Sequence, residues 1–206
     1  MLDFEILSVG QLACNCIILW NSESKKGVVV DPGDEAERIS GQVTNREIDI
    51  QAILLTHAHF DHLGAATSLQ TQWKCPVFLH PEDTPMLESL DYQTTKFRMP
   101  SIIKPTITTL HDELPLGITC IHTPGHSPGS STFLTESPKG KVALTGDTIF
   151  AKGVGRTDLL GGSWDLLEKS IRTKLYALDP NTLIIPGHGP NSTIASERNG
   201  NPYVKG

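Results

Sequence analysis

Short apolar runs and alternating positions dominate the first third of the chain, and they predict strands before anything else. FEILSV (4–9), NCIILW (15–20) and GVVVD (27–31) read as three strands, the last two separated by the turn-like NSESKK. DPGD (31–34) is a turn that delivers the chain into a polar helix over 35–46, and AILLT (52–56) is the next strand. Leu63, Ala66, Leu69 and Trp73 recur at helical spacing, which predicts a helix from about Asp61 to Trp73, followed by the buried strand CPVFLH (75–80). Pro81, Pro85, Pro100 and Pro105 break the pattern across 81–105; a short helix near 83–90 and then a loop able to overhang a site are expected there. The second half repeats the theme, with strands near 107–110, 117–122, 130–135 and 141–146, a helix across 163–176, the strand TLIIP (182–186) and a short terminal helix.

Strands fill both halves and apolar helices lie between them. The expected class is α/β, with two facing sheets covered outside by helices, although other α/β layerings fit the same periodicity. No stretch reads as a linker and no short-period repeat appears, so residues 1–206 are expected to form one domain. Composition changes this picture little. With 38% hydrophobic and 19% charged residues and a formal net charge of −6, the chain is an ordinary globular one, and a generic phosphate-backbone binder is disfavoured. No segment approaches the roughly 18 consecutive apolar residues of a membrane helix. Asp3 and Glu5 stand where a secretory signal would be basic, so the N-terminus reads as a first strand and the expected setting is cytoplasmic. Cys14, Cys16, Cys75 and Cys120 lack zinc-ribbon and CxxC spacing; Cys14 and Cys16, two apart, read as reduced, half-buried thiols on one strand face.

Chemistry enters with THAHFDH (56–62), directly after the apolar AILL. Extended backbone throws His57 and His59 to one side, while Asp61 and His62 sit on the first turn of the following helix and face elsewhere. One short peptide therefore addresses two points, and two metals in a dinuclear hydrolytic site lie about 3.5–4 Å apart. Downstream, TPGHSPGSS (123–131) puts His126 in a Gly/Pro loop, LTGD (144–147) ends a strand on Asp147, and IIPGHGP (184–190) ends another at His188. With Asp147 bridging, His57, His59, His126 and Asp147 would hold one ion, and Asp61, His62, His188 and Asp147 the other. A water or hydroxide shared between the ions would be the nucleophile, and His57, His59 and Asp61 would double as catalytic residues. Imidazole and carboxylate suit zinc, iron and manganese alike; two divalent ions, zinc first, are expected.

Blander readings compete. A pH switch asks for partners that change between states, not for histidines at the ends of several distant strands. His126, Asp147 and His188 could each be a plain turn residue. His80, His111 and His122 lack comparable companions, and His122 reads as a structural hydrogen-bonding histidine. Arg156, on the glycine-rich GVGRTD (153–158), is either a substrate contact or a surface loop arginine.

HAHFDH, TPGHSPGS, TGD and PGHG in this order resemble the metallo-β-lactamase fold superfamily, over nearly the whole chain from CNCIILW and VVVDPGD to SERNGNPY. The resemblance implies an αββα sandwich with the metal site at one edge between the sheets. GDTIFAKGVGRTD and PGHGPNSTIASERNGNPY are further similar to the glyoxalase II group, the hydroxyacylglutathione hydrolases, and to its short bacterial members in particular. Arg156 occupies the place where that group carries a basic residue that helps bind glutathione. The longer members add a C-terminal helical domain, whereas eighteen residues follow His188 here, so metal chemistry carries over better than glutathione specificity. The implied reaction is hydrolysis of a small-molecule thioester such as S-D-lactoylglutathione, with neither nucleic acid nor membrane as partner. The rival reading is a persulfide dioxygenase, a group that shares the fold and a similar GRTD loop but uses a single iron. The PGHG motif, absent from known members of that group, favours a complete second site. A periplasmic lactamase is expected to begin with a signal peptide, which this N-terminus does not resemble.

Overall fold

The computed structural model describes residues 1–111 and 114–206. Six strands form the first sheet in sequence order: β1 (Asp3–Val9), β2 (Cys14–Trp20), β3 (Lys26–Val30), β4 (Asp49–Leu54), β5 (Val77–Leu79) and β6 (Ile107–Thr109). β1 to β3 pair antiparallel. β3 to β6 pair parallel, because helical segments cross between them: α1 (Ala36–Asn45), then α2 (Phe60–Leu63) with α3 (Ala66–Trp73), then α4 (Thr84–Glu88) with α5 (Leu90–Phe97). Next come β7 (Thr119–His122), β8 (Ser131–Ser137), β9 (Gly140–Gly146), the small hairpin of β10 (Ile149–Phe150) and β11 (Gly153–Val154), and α6 (Trp164–Ser170), which continues as a π-helical turn over Ile171–Leu175. β12 (Leu183–Pro186), β13 (Ser192–Thr193) and α7 (Ile194–Gly200) follow. The second sheet has the order β13-β12-β9-β8-β7.

Alternation along the strands sorts side chains into layers. Ile17, Leu19, Val28, Val30 and Leu54 of the first sheet meet Phe133, Val142, Leu144 and Ile185 of the second. Their neighbours Cys16, Ile18, Val29 and Ile53 turn outward onto Ile39 and Val43 of α1 and Leu63, Ala66 and Leu69 of α2 and α3. Across the molecule, Ile184 packs with Leu167, Ile171, Leu175 and Ile194. The architecture is an αββα sandwich. Both faces of β2, β3 and β4 are buried, which is why these strands read as near-continuous apolar runs. Cys14 and Cys16 share the helix-facing side, as their spacing predicts, but are fully buried.

Where local pattern and fold part company, a tertiary contact is responsible. The helix expected over 61–73 breaks at Gly64–Ala65. The Ala65 N–H donates to the Pro32 carbonyl at 2.9 Å, and Gly64 lies so close to the preceding turn that a Cβ would sit 2.3 Å from the Gly33 oxygen. The strand expected to reach 56 ends at Leu54, because the Thr56 N–H turns to the Asp31 carboxylate at 2.8 Å. Within 81–105, α5 occupies much of the expected loop: Leu90, Gln93 and Thr94 are buried, and Phe97 stacks on Phe60 with ring centroids 5.3 Å apart. The strand expected from 117 starts at Thr119, after a tight turn over Pro115–Gly117. Among the described residues, no helix is long and apolar enough to cross a membrane.

β7 and β9 are each antiparallel to β8, and β12 is parallel to β9, so β7, β9 and β12 end at one side of their sheet. Two main-chain bonds join the sheets at that side, Ser131 N–H to the Thr56 carbonyl at 2.8 Å and Asn15 N–H to the Gly187 carbonyl at 2.7 Å. The loops leaving β3, β4, β7, β9 and β12 converge there.

Candidate metal centre

The converging loops bring together all seven residues of the expected ligand set. His57, His59 and His126 each offer a ligand atom within 4.8 Å of the others; so do His57, His62 and Asp147, and Asp61, His62 and His188. The backbone expected to stay extended instead bends at Thr56 and His57 and is extended again at His59; His57 and His59 still reach one group, Asp61 and His62 on α2 reach another, and His57 and His62 also share a group with Asp147. Asp147 stands between them. Its Oδ2 is 3.6 Å from His126 Nε2, and its Oδ1 is 3.4 Å from His62 Nε2 and 3.7 Å from His188 Nε2. Asp61 Oδ2 is 3.2 Å from His188 Nε2.

Two features of this cluster fit a cation. His59 Nδ1 lies 2.8 Å from His126 Nε2, and His62 Nε2 lies 3.2 Å from His188 Nε2. Imidazole lone pairs facing one another at that range repel unless a proton or a cation lies between them. In addition, His57 Nε2 and Asp147 Oδ1 are buried with no hydrogen-bond partner among the described residues, a costly state for a buried nitrogen or carboxylate oxygen that a metal ion would relieve.

Four of the five histidines have their other ring nitrogen held from outside. His57 Nδ1 meets Thr56 Oγ1 at 3.0 Å, His62 Nδ1 meets Asp31 Oδ2 at 3.0 Å, His126 Nδ1 donates to the Arg156 carbonyl at 2.8 Å and His188 Nδ1 to the Leu12 carbonyl at 2.9 Å. Such partners fix ring orientation and tautomer and present the other nitrogen as a ligand. Burial and the neighbouring imidazoles push His57 well below the usual histidine range and His59 down to about 3, so both stay neutral. Burial opposes charge on Asp61 and Asp147 as well, yet His62 and His188 outweigh it and hold both carboxylates below their ordinary range. Close approach explains two glycines of the motifs. A Cβ on Gly187 would lie 2.2 Å from Asp147 Oδ1, and one on Gly155 would lie 1.8 Å from the Asp147 carbonyl oxygen.

The metallo-β-lactamase superfamily model matches residues 9–188. The chain belongs to that superfamily. A relative named hydroxyacylglutathione hydrolase GloC, from Haemophilus influenzae, is 35% identical over 98% of this chain and 98% of its own. Two solved structures are also similar. The BLEG-1 B3 metallo-β-lactamase has a TM-score of 0.90 at 34% identity, over 99% of this chain and 100% of that one. TTHA1623 in a di-iron-bound form has a TM-score of 0.87 at 36% identity, over 97% of this chain and 100% of that one. Members of the metallo-β-lactamase superfamily bind divalent metals, and the chain is a metal-dependent hydrolase of that kind.

Three residues that serve this superfamily site escaped the sequence reading. Asp31, read only as part of a turn, is buried at the end of β3; it accepts from Thr56 N–H at 2.8 Å and Thr56 Oγ1–H at 2.6 Å while facing His62. An acid closing an apolar strand, as in LTGD, was the available signal. Asn15 Nδ2 donates to the Pro186 and Gly189 carbonyls, both at 2.9 Å, and so clamps the PGHG loop. Asp83 is fully buried and joins two loops of the centre: its Oδ2 accepts from Ala58 N–H at 2.8 Å and Ser127 Oγ–H at 2.9 Å, its Oδ1 from Gly129 N–H at 2.6 Å. Asp83→Ala is therefore expected to weaken metal affinity about 10- to 100-fold, the usual cost of losing an outer partner. Competition against a chromophoric chelator measures this, and unchanged affinity would show that the loops hold themselves.

Arg156 does not present a free guanidinium. It makes a two-pronged pair with Asp158, both contacts at 2.7 Å, and its main-chain carbonyl orients His126. His80 and His122 correct the expectation that they lack companions. Their rings stack with centroids 4.0 Å apart and 15° between planes, and Glu82 lies 4.0 Å from His122 Nε2. Parallel rings cannot both aim an in-plane lone pair at one ion, so the geometry is that of a packed pair. His122 Nε2 donates to the Pro128 carbonyl at 2.7 Å, the structural hydrogen bond foreseen for it. His111 packs edge-on against Phe78.

Proposed function

We propose that the protein is a dinuclear thioester hydrolase acting on a small acyl-thiol, for which S-D-lactoylglutathione is the first substrate to try. The observation that carries this is Asp147, whose two oxygens face two different ligand groups. In this reading His57, His59, His126 and Asp147 hold one ion, and Asp61, His62, His188 and Asp147 hold the other. Divalent ions bound there would supply Lewis-acid polarisation and a water acidic enough to act near neutral pH. The chain's own part is to fix the ligands and offset their charge. Asp31, Thr56 and the carbonyls of Leu12 and Arg156 hold the rings, and Asp61 and Asp147 lie beside His62 and His188. Cys14 is no rival nucleophile, since burial pushes its thiol up to about 11.

The name of the GloC relative and the di-iron form of TTHA1623 support a thioester substrate and two ions, with zinc, iron and manganese all compatible with the donors. The reduced cysteines suit a cytoplasmic setting. Metal analysis coupled to assays of thiol release, lactam opening and persulfide-dependent oxygen uptake tests the proposal. Two equivalents of metal with thiol release are expected. One iron with oxygen uptake would instead identify a dioxygenase, and lactam opening without thiol release would align the chain with BLEG-1.

Arg156 contributes modestly in this scheme. Its pairing with Asp158 is solvent-exposed, and a substrate carboxylate would have to exchange for Asp158. Arg156→Ala is expected to raise KM about two- to fivefold with kcat nearly unchanged, the scale of a screened surface pair. Steady-state kinetics decide this, and a change confined to kcat would contradict it.

A further inference from the structure

The closing segment SERNGNPY (196–203) carries two polar side chains that belong to neither ligand group, yet both are buried: Glu197 is 0% exposed and Asn201 1%. A carboxyl group so enclosed is costly unless its oxygens are bonded. Glu197 Oε2 accepts from the Lys152 N–H and from Asn201 Nδ2, both at 2.9 Å, and Oε1 accepts from Ser192 Oγ–H. Asn201 Nδ2 also donates to the Gly153 carbonyl at 3.0 Å. The pair therefore grips the tip of the β10–β11 hairpin at two consecutive residues. Lys152 needs that grip. Its φ is +61°, in the left-handed region, and a residue with a side chain stays there only where neighbours hold it. Beyond the tip the chain runs straight into the metal centre. Gly155 passes so close that a Cβ would lie 3.1 Å from His126 Nδ1 as well as against the Asp147 carbonyl. The next carbonyl, that of Arg156, is the one that accepts from His126 Nδ1–H at 2.8 Å.

We infer that Glu197 is a positioning residue of the metal centre: by holding the β10–β11 hairpin it places the Arg156 carbonyl that orients His126 and the Gly155 backbone that closes on Asp147. It touches no ligand, and it acts through Lys152, Asn201 and the hairpin. The inference rests on the proposed ligand set only in taking His126 and Asp147 as metal ligands. Bond geometry carries the role, not charge. A glutamine at 197 can keep every bond, its oxygen accepting from Lys152 and Asn201 and its NH2 donating to Ser192 Oγ. An alanine leaves those three donors without their acceptor and frees the hairpin tip to relax out of its strained turn.

Four variants separate positioning from mere support of the fold: Glu197→Ala, Glu197→Gln, Lys152→Pro and Lys152→Gly. Lys152→Pro removes the amide donor at an exposed turn and leaves the Glu197 side chain in place, so it decides alone if Glu197→Ala fails to fold. Lys152→Gly keeps the donor and suits the positive φ. Nitrogen-15 spectra of the histidine rings in the metal-free protein report each Nδ1–H, chelator competition reports zinc affinity, and a denaturant melt reports stability. Glu197→Ala and Lys152→Pro are expected to shift or broaden the His126 Nδ1–H signal and leave that of His62, which faces Asp31, in place. Metal affinity should fall about tenfold, and kcat for thiol release about tenfold with KM nearly unchanged, the low end of the cost of losing an outer partner. Glu197→Gln and Lys152→Gly should match the wild type in each readout. Lower stability with an unmoved His126 signal and unchanged metal affinity overturns the inference, since Glu197 would then support the fold alone. Glu197→Gln as impaired as Glu197→Ala overturns it too, because charge would be the cause. If the wild type releases no thiol, the thioesterase reading fails, while the His126 signal and the metal affinity still decide the role of Glu197.

Discussion

Asp147→Ala protein is expected to release no measurable thiol and to bind neither metal equivalent at concentrations that saturate the wild type. The loss should go well beyond the about 10- to 100-fold typical of an outer partner, because Asp147 faces both ligand groups at once. The metal-free fold should suffer too. Asp147 lies beside His62, His126 and His188, and removing one partner from a buried charge cluster costs about 3–5 kcal/mol. Asp147→Asn separates the two effects: it keeps the shape but replaces one carboxylate oxygen by an amide nitrogen, which cannot act as the second ligand. Metal analysis, thiol release and a denaturant melt together check this. Turnover near the wild-type rate with both metals in place would refute the bridging role.

Asp61→Ala is the second large effect, and it is directional. Asp61 joins His62 and His188 in one ligand group and takes no part in the group of His57, His59 and His126. One metal equivalent should be lost and the other retained, with hydrolysis reduced at least about a hundredfold, since a two-ion clamp acts on both sides of the reacting centre. His188 also loses the carboxylate that, with Asp147 and against its own burial, raises its affinity for a proton. Full turnover with a single bound metal would show that the second group is not needed for chemistry. Two retained equivalents would show that Asp61 is not a ligand.

Asp61 and Asp147 were readable as candidates because both stand in motifs whose neighbours carry the signal, HAHFDH and LTGD. Asp83 and Gln93 were not. Both lie in the stretch that prolines made look irregular, and their partners Gly129 and Phe60 are 46 and 33 residues away. Side chains whose work is to accept bonds from distant main chain leave no periodic trace. The same holds for α5, a polar helix whose existence depends on Leu90, Gln93 and Thr94 being buried against the rest of the molecule.

The sequence by itself determined most of the strands and the α/β class and singled out seven candidate donor residues, because apolar alternation, Gly/Pro loops and donor chemistry are local properties. Only the tertiary structure decided how those donors are shared. His59 meets His126 across 67 residues and His62 meets His188 across 126. Which oxygen of Asp147 faces which group and why Arg156 is paired with Asp158 both depend on how two sheets and α5 close upon one edge. That closure is driven by burial of side chains far apart in the chain, and no local spacing encodes it.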